Sequence, residues 1–304
     1  MNEFQHSEAT RNEQPVAIVT GANAGLGFET TKALAANDFK VIMACRDLEK
    51  AKKARKQILN CHGDAKLEIR ELDLSSLKSV RSFASEFKSE NEKLDLLINN
   101  AGVMMPPYHR TEDGFELQLG VNYLGHFLLT GLLKEELTTS KSSRIVGLSS
   151  IAHKNAEIDF NDLQSENSYS KFKAYGQSKL ACLIFSLELE RRLKANYLSH
   201  VSSLAAHPGV SSTELMRHLP GWLMLMAKPV EPFISHSAEK GAKPTLKAAL
   251  DKELAGGCYI GPDGFREMKG KPAEAEIARQ AENKETAAKL WAVSEDLTGI
   301  KFLS

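Results

Sequence analysis

From Val16 onward, short runs of apolar residues alternate with longer stretches whose apolar positions recur at helical spacing. The runs at residues 16–20, 39–45, 67–72, 94–99, 144–149 and 200–206 predict strands, and residues 257–260 predict a last one. Between them, residues 25–37, 47–59, 77–88, 114–137 and 169–194 carry the spacing of helices. Strands that are continuously apolar are covered on both faces, which is the mark of a parallel sheet flanked by helices. The pattern therefore predicts an α/β fold: a single-domain, doubly wound (Rossmann) sheet of seven parallel strands. Such sheets bind ligands at the carboxyl ends of their strands, beside the point where strand order reverses.

Two segments stand outside this alternation. Residues 1–14 are polar, contain Glu3, Glu8 and Glu13, and read as a loose arm ahead of one domain spanning 15–304. Residues 211–237 form an insertion between the sixth and seventh strands that carries Leu215, Met216, Trp222, Met224 and Met226. Adaptable side chains of this kind suit a lid over an apolar substrate, and the alternative is a subunit or membrane-surface contact.

Composition narrows the classes of function. A chain of 304 residues fits one large domain. Equal counts of 39 basic and 39 acidic residues leave no positive footprint for nucleic acid. The four cysteines, Cys45, Cys61, Cys182 and Cys258, are scattered without metal or disulfide spacing, which favours a reducing interior, and Cys45 and Cys182 sit in apolar runs as core residues. No run approaches the ~18 apolar residues of a membrane span, so the expected location is cytoplasmic. His126, His153 and His207 share no metal-ligand spacing and read as structural or solvent-facing.

The chemistry concentrates at two places. Thr20-Gly21-Ala22-Asn23-Ala24-Gly25-Leu26-Gly27 follows the first strand and opens the first helix. Gly21 permits a tight turn, Gly25 lets backbone approach a pyrophosphate, Gly27 permits close packing, and the helix N-terminus offers unpaired N–H groups to phosphates. At the end of the second strand, where a carboxylate would grip a free ribose 2′-hydroxyl, stand Cys45 and then Arg46. An arginine fits a 2′-phosphate, so NADP(H) is expected over NAD(H); Asp47, which follows, reads as a helix cap. Lys50, Lys52, Lys53, Arg55 and Lys56 read mainly as a solvated helix face.

Further along, Tyr175 and Lys179 lie four residues apart on a predicted helix, which sets a phenol and an ammonium on one face. The ammonium favours the phenolate, and a phenol so tuned can exchange a proton with a substrate oxygen. A plain surface contact is the competing reading of the pair.

Together these segments resemble the short-chain dehydrogenase/reductase family. The resemblance runs from about Val16 to Thr298. It rests on the glycine turn, Asp73-Leu74, Asn99-Asn100-Ala101-Gly102, Ser149-Ser150, Tyr175-x-x-x-Lys179 and His207-Pro208-Gly209 with Thr213, all in order. Ala44-Cys45-Arg46-Asp47, residues 121–130 and residues 290–298 are similar to the retinol dehydrogenase, WW-domain oxidoreductase and protochlorophyllide reductase-like branch. The apolar N-terminal anchor of membrane-bound retinol dehydrogenases and a WW module are both absent from the sequence. The resemblance implies Tyr175 as acid/base, Lys179 on the nicotinamide ribose, and Ser150 on the substrate oxygen with Ser149 as fallback. It implies Asn122 as holder of a proton-relay water, against a simple bond to backbone. Contacts to cofactor are implied for Asn23, Leu26, Asp73, Leu74, Asn100, Ala101, Gly102, Pro208, Gly209, Val210 and Thr213. The expected activity is NADP(H)-dependent interconversion of an alcohol and a carbonyl on a lipophilic molecule; the alternative is an NADPH-sensing protein without turnover. A third reading, a sugar-nucleotide epimerase or dehydratase, is disfavoured by the glycine spacing and the short tail. A homodimer or homotetramer through the helices after the fourth and fifth strands is also within the family's range.

Overall fold

A computed structural model of the chain describes residues 14–210 and 237–303. The N-terminal arm, apart from Gln14, lies outside the described residues, as do the proposed lid up to residue 236, and with it Thr213.

The strands are β1 (Val16–Thr20), β2 (Lys40–Cys45), β3 (Leu67–Glu71), β4 (Leu96–Asn99), β5 (Ser143–Leu148), β6 (Val201–Ala206), β7 (Tyr259–Pro262) and β8 (Pro272–Glu274). They form one sheet in the order β3-β2-β1-β4-β5-β6-β7-β8, so the chain reverses direction across the sheet between β1 and β4. The first seven are parallel, as the apolar runs imply. The expectation of seven strands is corrected to eight: β8 returns antiparallel on β7, pairing Ala273 with Gly261. Its three residues, Pro-Ala-Glu, are only partly buried and lack the signature of a strand. A proline there is tolerated because β8 is an edge.

Alternate side chains of the same strands enter opposite core layers. Ile18, Ile42, Leu97 and Ile145 lie in one, while Val19, Met43, Ile98 and Val146 lie in the other. This two-sided burial is why the strands read as unbroken apolar runs.

The flanking helices include α1 (Gly25–Ala36), α2 (Leu48–Cys61) and α3 (Leu77–Glu90). Asp47 caps α2 by accepting from Lys50 N–H, and Ser76 caps α3 from Ser79 N–H. The single long helix expected over 114–137 is instead divided. It comprises α4 (Leu117–Leu119), a wide π turn (Gly120–Leu124), α5 (Gly125–Leu132) and α6 (Lys134–Thr139). Glu116 starts it by accepting from Gln118 and Leu119 N–H at 3.0 and 2.8 Å. A Cβ at Gly120 would lie 2.6 Å from Thr111 Cγ2, and one at Gly125 would lie 2.7 Å from the Leu74 carbonyl. These close approaches pack the π turn and the start of α5 against Thr111 and the loop after β3, and π turns are a common setting for functional residues.

Next comes α7 (Lys171–Ala195), and then two helices the pattern did not reveal, α8 (Ala238–Leu250) and α9 (Lys284–Thr298). Gly241 and Pro244 inside α8 argue against a helix in sequence. On α9, Trp291 stacks on Phe127 of α5 and Phe185 of α7 at 5.1 and 5.8 Å, and Phe302 lies 4.8 Å from it. Phe127 of α5 and Phe185 of α7 are thereby covered within the chain, whereas Phe172 at the start of α7 is exposed.

Candidate active site

The first cleft, of about 550 Å³, opens over the β1–α1 turn at the switch point. Gly21 and Gly25 hold left-handed φ of 66° and 55°, conformations in which glycine carries no side-chain penalty. A Cβ on Gly27 would meet the Gly21 carbonyl at 2.3 Å and Asn100 Nδ2 at 2.5 Å. Gly27 thus lets α1 pack onto its own turn and onto the loop after β4. The N-cap of α1 is Ala24, which supplies no side-chain hydrogen bond, and the first turn has no acid. Its orphan N–H groups and positive end are left for an anion.

Asn23, Leu26, Arg46, Asp73, Leu74, Asn100, Ala101 and Gly102 line this cleft together with the glycines. All the cofactor-binding residues expected from the first half of the chain are therefore brought together. Asn100 donates its side-chain amide to the Thr20 carbonyl at 2.6 Å, and the N–H groups of Asn100 and Ala101 both reach Thr20 Oγ1 at 2.9 Å. At the far end, the Cys45 thiol is buried, and burial pushes its pKa up to about 11, so it offers no charge to a ribose. Arg46 is exposed on the cleft wall and forms no ion pair with another described residue. The Asp47 carboxylate is occupied: it caps α2 and pairs with Lys50 Nζ at 2.8 Å. Lys50 also lines the cleft, a position its place in a charged helix did not disclose.

A second cavity of about 80 Å³ shares Leu26, Asn100, Gly102 and Val103 with the first. Tyr175, Lys179, Ser149 and Pro208 complete it, with Met104 and Leu148 as apolar wall. Tyr175 is 4% and Lys179 7% exposed, so the pair is not a surface contact. Lys179 Nζ lies 5.9 Å from the phenol ring centre and donates to the Leu148 carbonyl at 3.1 Å.

The two serines are engaged differently. Ser149 donates its hydroxyl to the Lys179 carbonyl at 2.8 Å, tying β5 to α7. Ser150 begins the short 3-10 turn Ile151–Asn155, and its oxygen accepts from Ala152 N–H at 3.3 Å, which leaves its proton to give. Ser149 lines the cavity and Ser150 stands one residue behind it.

Asn122 lies in the π turn with its amide fully engaged. Oδ1 accepts from Val103 N–H at 2.8 Å, while Nδ2 donates to the Val103 carbonyl and to Ser178 Oγ. Its own carbonyl accepts from His126 Nδ1 at 2.8 Å and from Cys182 Sγ at 3.2 Å. The side chain thus clamps the backbone at Val103 and ties it to α7 through Ser178.

Pro208 faces the cavity, whereas Gly209 and Val210 turn their N–H groups to His207 Nδ1 and the Met268 carbonyl. All three histidines once grouped as structural or solvent-facing are buried. Val103 and Met104 were not singled out as site residues, although the Asn-Asn-Ala-Gly motif at the end of β4 points directly at them.

The amino-acid pattern of residues 15–223 matches the family described as short chain dehydrogenase, and the chain belongs to that family. Within it, the protein sits in the retinol dehydrogenase-like branch. It is 43% identical to human retinol dehydrogenase 12 over 291 residues, covering 94% of this chain and 87% of that one. Human retinol dehydrogenase 13 is 45% identical over 295 residues, with 93% and 84% covered. Among solved structures, an uncharacterised protein from Mycobacterium paratuberculosis superposes with a TM-score of 0.78 at 40% identity over 95% of each chain. No helix among the described residues is long and apolar enough to cross a membrane.

Proposed function

We propose that the protein is an NADP(H)-dependent oxidoreductase that interconverts an alcohol and a carbonyl on a lipophilic small molecule. The observation that carries this reading is the meeting of a buried Tyr175 and Lys179 in a cavity that opens onto the dinucleotide cleft. Membership of a dehydrogenase family and likeness to proteins named retinol dehydrogenases support the reaction class. The apolar wall of Leu26, Val103, Met104, Leu148 and Pro208 supports a lipophilic substrate.

The residues present fit the cofactor. The uncapped α1 N-terminus suits a pyrophosphate, and Arg46, without an ion pair among the described residues, suits a 2′-phosphate. Asp73 lines the end of the cleft where the adenine would lie, with one carboxylate oxygen held by Ser75 N–H and Oγ. When bound, the nicotinamide supplies or accepts the hydride. The protein's part is proton transfer and charge placement. In the reducing direction Tyr175 gives its phenolic proton to the substrate oxygen, and the Lys179 ammonium stabilises the phenolate that remains. Ser150, whose hydroxyl donates to no acceptor among the described residues, donates to the same oxygen as negative charge develops there. Ser149 is committed to the Lys179 carbonyl and positions α7. Oxidation runs through the same groups in reverse.

The test is NADPH oxidation against a panel of aldehydes, ketones, quinones and retinal. Tyr175→Phe is expected to lower turnover by about 10²- to 10⁴-fold with NADPH affinity unchanged. Equal activity in the variant would reject the acid/base role. Tight NADPH binding with silence across the panel would favour a cofactor sensor instead.

A further inference from the structure

His207, Glu267 and Lys154 come from three separate parts of the chain and meet behind the substrate cavity. His207, fully buried, follows β6 directly and precedes Pro208. Its Nδ1 accepts from Gly209 N–H at 3.2 Å, so the ring proton must sit on Nε2. Nε2 lies 3.2 Å from Glu267 Oε2, an electrostatic contact not aligned as a hydrogen bond, and neither of these buried atoms has a hydrogen-bond partner among the described residues. The other Glu267 oxygen accepts from Glu276 N–H at 2.9 Å and pairs with Lys154 Nζ at 3.2 Å. Lys154 belongs to the 3-10 turn that Ser150 caps.

Backbone geometry points the same way. Arg266 and Glu267 both adopt left-handed φ, 50° and 54°, an unfavourable pair of conformations for residues with side chains. The β7–β8 hairpin imposes them and in doing so delivers the Glu267 carboxylate to His207. The next residue, Met268, accepts from Val210 N–H at 2.8 Å. Gly209 has a φ of 73°, and a Cβ there would lie 2.3 Å from the Met268 carbonyl. Gly261 on β7 leaves the space that the imidazole fills, since a Cβ at that position would lie 1.9 Å from Nε2. Burial pushes the Glu267 carboxyl upward, but His207, Glu276 N–H and Lys154 outweigh it and hold it at about 2.

We propose that Glu267 is a positioning residue for the nicotinamide end of the site. It holds His207 as the Nε2–H tautomer, whose Nδ1 then fixes the Pro208–Gly209 turn against the cavity of Tyr175 and Lys179. Through Lys154 the same carboxylate ties that turn to the segment bearing Ser150. The inference rests on the NADP(H) reading of the cleft, and its effect is confined to one half of the cofactor.

The experiment compares dissociation constants for NADPH and for 2′-phospho-ADP-ribose, which lacks the nicotinamide. Wild type, Glu267→Ala and Glu267→Gln are each measured in the full chain. Glu267→Ala is expected to weaken NADPH about tenfold and leave the truncated ligand within twofold. Glu267→Gln keeps an acceptor for His207 and should recover most of the loss. Equal weakening of both ligands, or of neither, overturns the proposal, whereas failure of the wild type to bind either ligand overturns the cofactor reading instead. Should Glu267→Ala not fold, the ¹⁵N signals of His207 in the wild type, assigned with His207→Gln, still decide. The Nε2–H tautomer is required, and the Nδ1–H tautomer refutes it.

Discussion

Replacing Arg46 by alanine tests the cofactor assignment at its most exposed point. The guanidinium is free of any ion pair among the described residues, and the adjacent carboxylate of Asp47 is committed to the α2 cap and to Lys50. A bond between an arginine and a phosphate contributes ~1.5–3 kcal/mol. Arg46 is exposed, so solvent screening places it at the lower end, about 1.5 kcal/mol, which is roughly tenfold in dissociation constant. NADH lacks the 2′-phosphate and should bind the variant within twofold of wild type. Lys50→Ala should cost roughly twofold, because Asp47 offsets much of its charge. Fluorescence titration with NADPH and NADH at two ionic strengths checks all of this, and the NADPH advantage of wild type should shrink as salt rises. Parallel loss of both cofactors on Arg46→Ala, or no loss of either, would refute the 2′-phosphate assignment.

Two further outcomes follow from the buried architecture. Burial holds the His126 pKa down at about 4, with Asn122 O and Thr20 Oγ1 as ring partners and Lys179 as the nearby charge. An unfolded histidine titrates near ~6.5, so between those values the unfolded state binds one more proton, and stability falls as pH drops through that window by on the order of 3 kcal/mol. Urea melts at pH 7 and pH 5 should show a smaller acid loss in His126→Gln than in wild type; identical losses would contradict a neutral buried ring. Trp291→Ala removes a side chain that is 2% exposed and packed on Phe127, Phe185 and Phe302, with the Arg192 guanidinium 4.3 Å from the ring centre. A loss of ~3–5 kcal/mol is expected, and a loss below about 1 kcal/mol by denaturant melts would mean that α9 does not cover the core as described.

What the sequence discloses and what it hides divide along one physical line. Residues 16–20 and 40–45 were legible as strands because burial on both faces leaves a continuous apolar run. The turn from Gly21 to Gly27, Arg46, and the Tyr175–Lys179 pair were legible because each is local: a few residues adjacent in the chain carry the whole requirement. The elements that escaped notice depend on partners far away. The π turn is explained by Thr111 crowding Gly120 and by Val103 held on the Asn122 amide, none of which alters the apolar spacing of residues 114–137. Strand β8 is two half-buried residues and an exposed glutamate, and α8 carries a glycine and a proline that local propensity reads as breakers. Glu267 sits 60 residues from His207 in a polar stretch, where nothing marks one glutamate above its neighbours. The motifs therefore supply the groups proposed to react, while long-range contacts tie the segments that carry them: Asn122 to Val103, Ser149 to the Lys179 carbonyl, His207 to Glu267. Loss of a reacting group should stop turnover with binding intact. Loss of one of these ties should leave every motif present and misplace it, so that affinity and turnover decline together without either vanishing.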